Sequence, residues 1–181
     1  MSEALSPKQL LNEGQAGYKR GDYQTAAHAY EAAADGYKTV GDELAVAEAL
    51  NNASVAYLQC GDFEAAYRTV EPTAAIFATA GDLRRQGMAL GNLGAALESL
   101  GRLEEAIDAY QISADLLKQA GDRDMRAHVM KSLSALQLRT GRQMEALVTM
   151  EFGLEGMDKP TLAQRALKKL LQVPTNLLNR S

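Results

Sequence analysis

Leu90 to Asp122 reads LGNLGAALESLGRLEEAIDAYQISADLLKQAGD, and this stretch decides the fold. Its large apolar residues fall at Leu90, Leu93, Leu97 and Leu100, and again at Leu103, Tyr110 and Leu117. Each set marks one face of a helix, with Gly101 between the two. Small residues, notably Gly94 on the first helix and Ala106 on the second, stand where the helices approach most closely. The stretch therefore predicts a tight antiparallel helical hairpin.

The same unit recurs along the chain. Glycine returns every twenty residues at Gly21, Gly41, Gly61, Gly81, Gly101, Gly121 and Gly141. Aspartate follows five of these, at Asp22, Asp42, Asp62, Asp82 and Asp122. A glycine in the left-handed conformation ends one helix and an aspartate caps the next. The predicted architecture is all-α, with hairpins over about 5–40, 41–80, 81–120 and 121–158.

The spacing of Leu93, Gly94, Leu97, Gly101, Leu103, Ala106 and Tyr110 resembles a tetratricopeptide (TPR) repeat without its terminal proline. A forty-residue period, longer than the roughly 34 of the common repeat, is similar to the kinesin-light-chain-like branch of that family. The resemblance implies a right-handed superhelical solenoid of four hairpins, closed by a C-terminal capping helix, in which each repeat contacts its neighbours alone.

At 181 residues and 46% apolar composition, the unbroken period argues for one continuous solenoid over 1–158. The single Cys60 excludes a disulfide framework and fits a reducing compartment, and MSEALSPKQ contains no basic, apolar leader. No run approaches the length of a membrane span. The chain is expected to be cytoplasmic. Its net charge of −4 conceals an asymmetry: 159–181 carry five basic residues and no acidic one, leaving about −9 on the first 158. An acidic body makes nucleic acid an unsuitable partner.

Ser6, Pro7 and Gln9 form a capping box that opens the first helix, whose stripe of Leu10, Glu13, Gly17 and Arg20 suits a terminal helix facing water. Ala26, Ala66, Ala106 and Ala146 hold one place in all four repeats, where helix approach leaves no room for more. Cys60 lies on the inner stripe of the second repeat and is expected to be a buried, inert thiol. Pro72 interrupts a helix and predicts a kink. The fourth repeat is the least regular and its second helix should be looser. After Pro160 the beat stops. Thr161 and Gln164 form another capping box, for a helix over 159–173 with Leu162, Ala166, Leu167, Leu170 and Leu171 on one side, followed by a short tail over 174–181.

No catalytic constellation can be assembled, and neither a metal nor another cofactor is expected. His28 and His128 fall on different kinds of helix, and every recurring glycine terminates a helix rather than cradling a phosphate. The expected activity is non-enzymatic. The resemblance places the binding surface on the concave wall, built from the first helix of each pair. Asn12, Asn52 and Asn92 fall there at equivalent positions, with Ser132 in the fourth repeat. Asparagine is a poor helix former, so its recurrence needs a reason. Its amide offers both donor and acceptor to the backbone of an extended peptide. Repeats of the kinesin-light-chain type and bacterial peptide-sensing regulators use asparagine in this way. Duplication of one ancestral repeat, or a tie between neighbouring helices, would also account for the row. The preceding positions have diverged to Leu11, Asn51, Gly91 and Lys131, which weakens simple inheritance. One turn on, Gln15, Val55, Ala95 and Ala135 leave space for apolar ligand side chains, with Leu58 and Leu138 as lining. Leu11, Gln15, Met88 and Asn92 occupy the places of the carboxylate clamp of chaperone-binding members, which argues against a chaperone C-terminus.

Two readings follow from different classes. The first is an adaptor that binds an extended peptide segment of a partner protein. The second is a scaffold that forms homo-oligomers through the solenoid ends and the basic C-terminal helix. A sensor module working with a separate effector is a third.

Overall fold

A computed structural model of the chain describes residues 5–154. Nine helices are present among them, paired into four antiparallel hairpins: α1 (Pro7–Arg20) with α2 (Tyr23–Thr39), α3 (Glu43–Cys60) with α4 (Phe63–Val70) and α5 (Thr73–Thr79), α6 (Leu83–Ser99) with α7 (Leu103–Gln119), and α8 (Arg123–Arg139) with α9 (Gln143–Leu154). The fold is the all-α solenoid read from the sequence. The C-terminal capping helix and tail lie outside the described residues.

The glycine beat sets the turns. Gly101 has φ 76°, and the chain reverses there through N–H bonds from Gly101 to the Glu98 carbonyl at 3.1 Å and from Arg102 to the Leu97 carbonyl at 2.9 Å. An L side chain at this φ would be strained. Asp42, Asp62, Asp82 and Asp122 then cap the next helices by accepting from the third residue on, at 2.9–3.1 Å. Asp22 departs from the expectation. It makes no side-chain cap and instead accepts from Arg20 Nε at 3.0 Å. Ser6 and Gln9 form the anticipated capping box.

Pro72 breaks the second helix of repeat two into α4 and α5. The proline has no N–H to give to the Arg68 carbonyl, and the hydroxyls on either side of the break turn to other carbonyls, Thr69 donating to Ala65 at 2.8 Å and Thr73 to Val70 at 2.7 Å. Like the unbroken α2 and α7, both pieces pack between two first helices, α4 and α5 each meeting α3 and α6.

The core changes character along the solenoid. Around the first two repeats it is alanine with Tyr30 and Tyr57. Around the last two it is Leu97, Ile107, Leu117, Leu133 and Leu136. Ala26, Ala66, Ala106 and Ala146 are all fully buried, as their spacing required. Ala106→Leu is expected to cost about 1 to 3 kcal/mol, read as a shift in a thermal melt followed by circular dichroism. A neutral outcome would refute the packing register.

Cys60 corrects one expectation. Its thiol is exposed, donating to the Tyr57 carbonyl at 3.4 Å. Cys60 is the last residue of α3, and the stripe has run past the hairpin seam by that point, as it has at the exposed Arg20 in repeat one.

Candidate functional site

Successive first helices touch one another, α3 with α6 and α6 with α8, while among the described residues no two second helices of successive repeats pack comparably. In repeats two to four the first helices therefore stand closer together than the second helices, as on the concave side of a solenoid. Asn12, Asn52, Asn92 and Ser132 sit on α1, α3, α6 and α8, none of them buried. Asn12 and Gln15 are exposed; Asn52, Val55, Asn92, Ala95 and Ser132 are half-buried.

The asparagines are not equivalent. Asn92 Nδ2 donates to Asn51 Oδ1 at 3.0 Å, joining α6 to α3. This pair is a tie between helices, one of the roles open on sequence alone. Asn52 makes no side-chain hydrogen bond among the described residues. The Ser132 side chain lies near the Tyr110 hydroxyl. Tyr110 donates to Glu98 Oε2 at 3.1 Å, and Arg139 donates to the other oxygen of Glu98. A polar chain thus runs Tyr110, Glu98, Arg139 across repeats three and four. Burial, followed by the neighbouring Glu98 carboxylate, pushes the Tyr110 hydroxyl above its ordinary pKa, so it stays a proton donor. Tyr57 is raised in the same sense by burial and by its bond to Glu31.

The apolar lining anticipated one turn beyond the asparagines is only partly assembled. Leu58 packs against the alanine core, and Leu138 and Lys131 are exposed on α8. The hollow lies one turn earlier instead. It has a volume of about 130 Å³ and is lined by Glu48, Asn51, Asn52, Phe77, Arg85 and Met88, with Arg84 at its edge. Phe77 reaches it from α5, which packs between α3 and α6. Arg85 stands over the Phe77 ring at 6.0 Å from the centroid and 4.0 Å from Glu48. The sequence carried a trace of this site in Asn51, the one asparagine that precedes another.

His28 and His128 lie on α2 and α8, and His28 stands edge-on to Tyr57 with centroids 6.2 Å apart. Among the described residues no group of three or more His, Cys, Asp or Glu is placed to hold a metal ion. None of the described helices is long and apolar enough to cross a membrane.

Comparison with curated protein sequences finds no match. Among solved structures, the chain is similar to the kinesin light chain nearly identical TPR-like repeats of Podosopora anserina, with a TM-score of 0.72 over 98% of this chain and 100% of that one. Sequence identity is 14%, so this likeness concerns the fold, a TPR-like solenoid. A family model described as soluble NSF attachment protein, SNAP, matches residues 10–152. With that match spanning well over half of its length, the chain belongs to the SNAP family of TPR-like helical repeat proteins.

Proposed function

We propose that the protein is a non-enzymatic adaptor of the cytoplasm that holds an extended peptide segment of a partner protein against α1, α3, α6 and α8. The observation that carries this reading is the amide cluster beside the hollow. Asn51 and Asn92 satisfy one donor and one acceptor between them, which leaves Asn92 Oδ1 and Asn51 Nδ2 to meet the C=O and N–H groups of a peptide backbone. Asn52 adds a complete amide at the same place, and the hollow gives room for one side chain of the peptide. The family name, which speaks of attachment to another protein, agrees with a protein partner.

Each amide bond to a peptide contributes roughly 0.5 to 1.5 kcal/mol net. Three such bonds set register, and contacts in the hollow must supply the rest of a micromolar-class affinity, on the order of −8 kcal/mol. In a peptide-library screen, Asn52→Ala with Asn92→Ala is expected to weaken the peptides selected by wild type by roughly 5- to 150-fold. Asn52 makes no side-chain bond among the described residues, so its loss should scarcely change the melting temperature, whereas Asn92→Ala also gives up the tie to Asn51, at a cost of about 0.5 to 1.5 kcal/mol. Undiminished binding by a folded double variant would remove the amides from the mechanism.

A further inference from the structure

The hollow between α3 and α6 is polar for its size. Phe77 is almost fully covered and lies beneath the Arg85 guanidinium, and Met88 is half-buried. What faces a guest is therefore mostly the Asn51 and Asn52 amides, the Glu48 carboxylate and Arg85 itself. Arg85 is held in place from one side. Asp82 Oδ1 caps α6 by accepting from the Arg85 backbone amide at 2.9 Å, and Asp82 Oδ2 lies 3.4 Å from Arg85 Nε. A terminal nitrogen of the guanidinium then stands 4.0 Å from Glu48 Oε2 across the hollow, too far for a hydrogen bond. Among the described residues, neither Glu48 nor Arg85 makes a side-chain hydrogen bond, and both are partly open to solvent. Nearby arginines are engaged elsewhere, Arg84 with Asp122 at 2.7 Å and Arg139 with Glu98.

The hollow thus offers one strong acceptor and one strong donor whose charges cancel. An acidic side chain entering it would gain Arg85 and meet Glu48, and a basic one the reverse. Either would also lose hydration that a neutral group keeps in larger part. An aliphatic side chain would displace water from Glu48 and Arg85 and give neither a partner. A carboxamide serves both. Its oxygen and nitrogen stand roughly 2.2 Å apart by standard bond lengths, so they can reach bonds of about 2.9 Å to Arg85 and Glu48 across the 4.0 Å gap. A volume of about 130 Å³ is room for about four waters, which suits an asparagine or glutamine side chain and excludes an indole. The wall already seats one such group, since Asn92 sets its amide against Asn51 at 3.0 Å.

We propose that the hollow is a subsite for a side-chain carboxamide, an asparagine or glutamine of the bound segment, held between Glu48 and Arg85. This subsite rests on the peptide-groove reading above. The full wild-type chain is panned against phage displaying random dodecapeptides. The selected sequences are expected to share one position at which Gln or Asn exceeds its library frequency about ten-fold, and Glu, Lys or Leu placed there in the synthetic peptide should weaken binding about ten-fold in fluorescence anisotropy. Single changes in the hollow should swing that position in opposite directions, Glu48→Gln toward Asp and Glu, and Arg85→Met toward Lys and Arg. A wild-type motif without a carboxamide position would overturn the subsite and leave the groove standing, as would a carboxamide preference that either variant leaves unmoved. Failure of the wild-type chain to select any peptide would overturn the groove reading and the subsite with it.

Discussion

Phe77→Ala is expected to lower the unfolding free energy by about 3 to 5 kcal/mol. Phe77 is 1% exposed and is among the largest fully buried side chains. Its closest apolar neighbours in the core are Ala47 and Ala89, with Ala74 and Ile76 at the margin. Alanines cannot move in to fill a vacated ring, so most of the cavity persists, and the cost falls at the upper end for such truncations. Arg85 also loses the ring beneath its guanidinium, 6.0 Å away, a contribution of about 0.5 to 1 kcal/mol at an exposed site. For a chain of this size, the melting temperature should fall by roughly 6 to 20 °C. Urea unfolding with the slope unchanged is the appropriate measurement. A loss below about 1 kcal/mol would mean that α5 does not anchor repeat two to repeat three. Because Phe77 lines the hollow, the variant should also alter which peptide side chains are accepted.

The second large effect is expected at Gly94. A Cβ there would meet Tyr110 Cδ1 at 2.7 Å. The Tyr110 ring cannot swing aside without giving up the bond from its hydroxyl to Glu98, which Arg139 also holds. Gly94→Leu should therefore destabilise by about 2 to 3 kcal/mol, despite the roughly 0.8 kcal/mol by which helix propensity favours leucine over glycine. Repeat one is built alike, with Tyr30 at 2.7 Å from a Cβ placed on Gly14. Repeats two and four solve the same contact with Ser54 and Val70, and with Ser134 and Met150. Gly94→Ser combined with Tyr110→Val should consequently be more stable than the sum of the single changes, by a coupling of about 1 to 2 kcal/mol in a double-mutant cycle. Simple additivity would show that the two positions do not share one space.

The parts of the fold legible in the sequence are those fixed locally. A left-handed glycine and a capping aspartate act within a few residues, so Gly101 and Asp122 declared their turns directly. Ala106 could be placed because its seam repeats in every hairpin. What escaped depends on distances between elements. The Asn92 to Asn51 bond requires the separation of α3 and α6, and a side-by-side pair such as Asn51-Asn52 does not say which member turns toward its neighbour. The hollow requires the spacing of α3, α5 and α6, where the sequence announced a bend at Pro72 but not how the Phe77 ring beyond it would sit. Cys60 was misjudged because a stripe extrapolated to the last turn overshoots the partner helix.

The Gly14–Tyr30 contact and its likeness at Gly94 and Tyr110 also bear on which hairpins can be exchanged. Gly14 and Gly94, Tyr30 and Tyr110, Ser54 and Ser134, and Leu58 and Leu138 agree at a separation of eighty residues, whereas none of them agrees at forty. The hairpin seam therefore carries a two-hairpin alternation laid over the forty-residue beat, and a graft between hairpins one and three, or two and four, keeps each small residue facing its own partner where an exchange of adjacent hairpins does not.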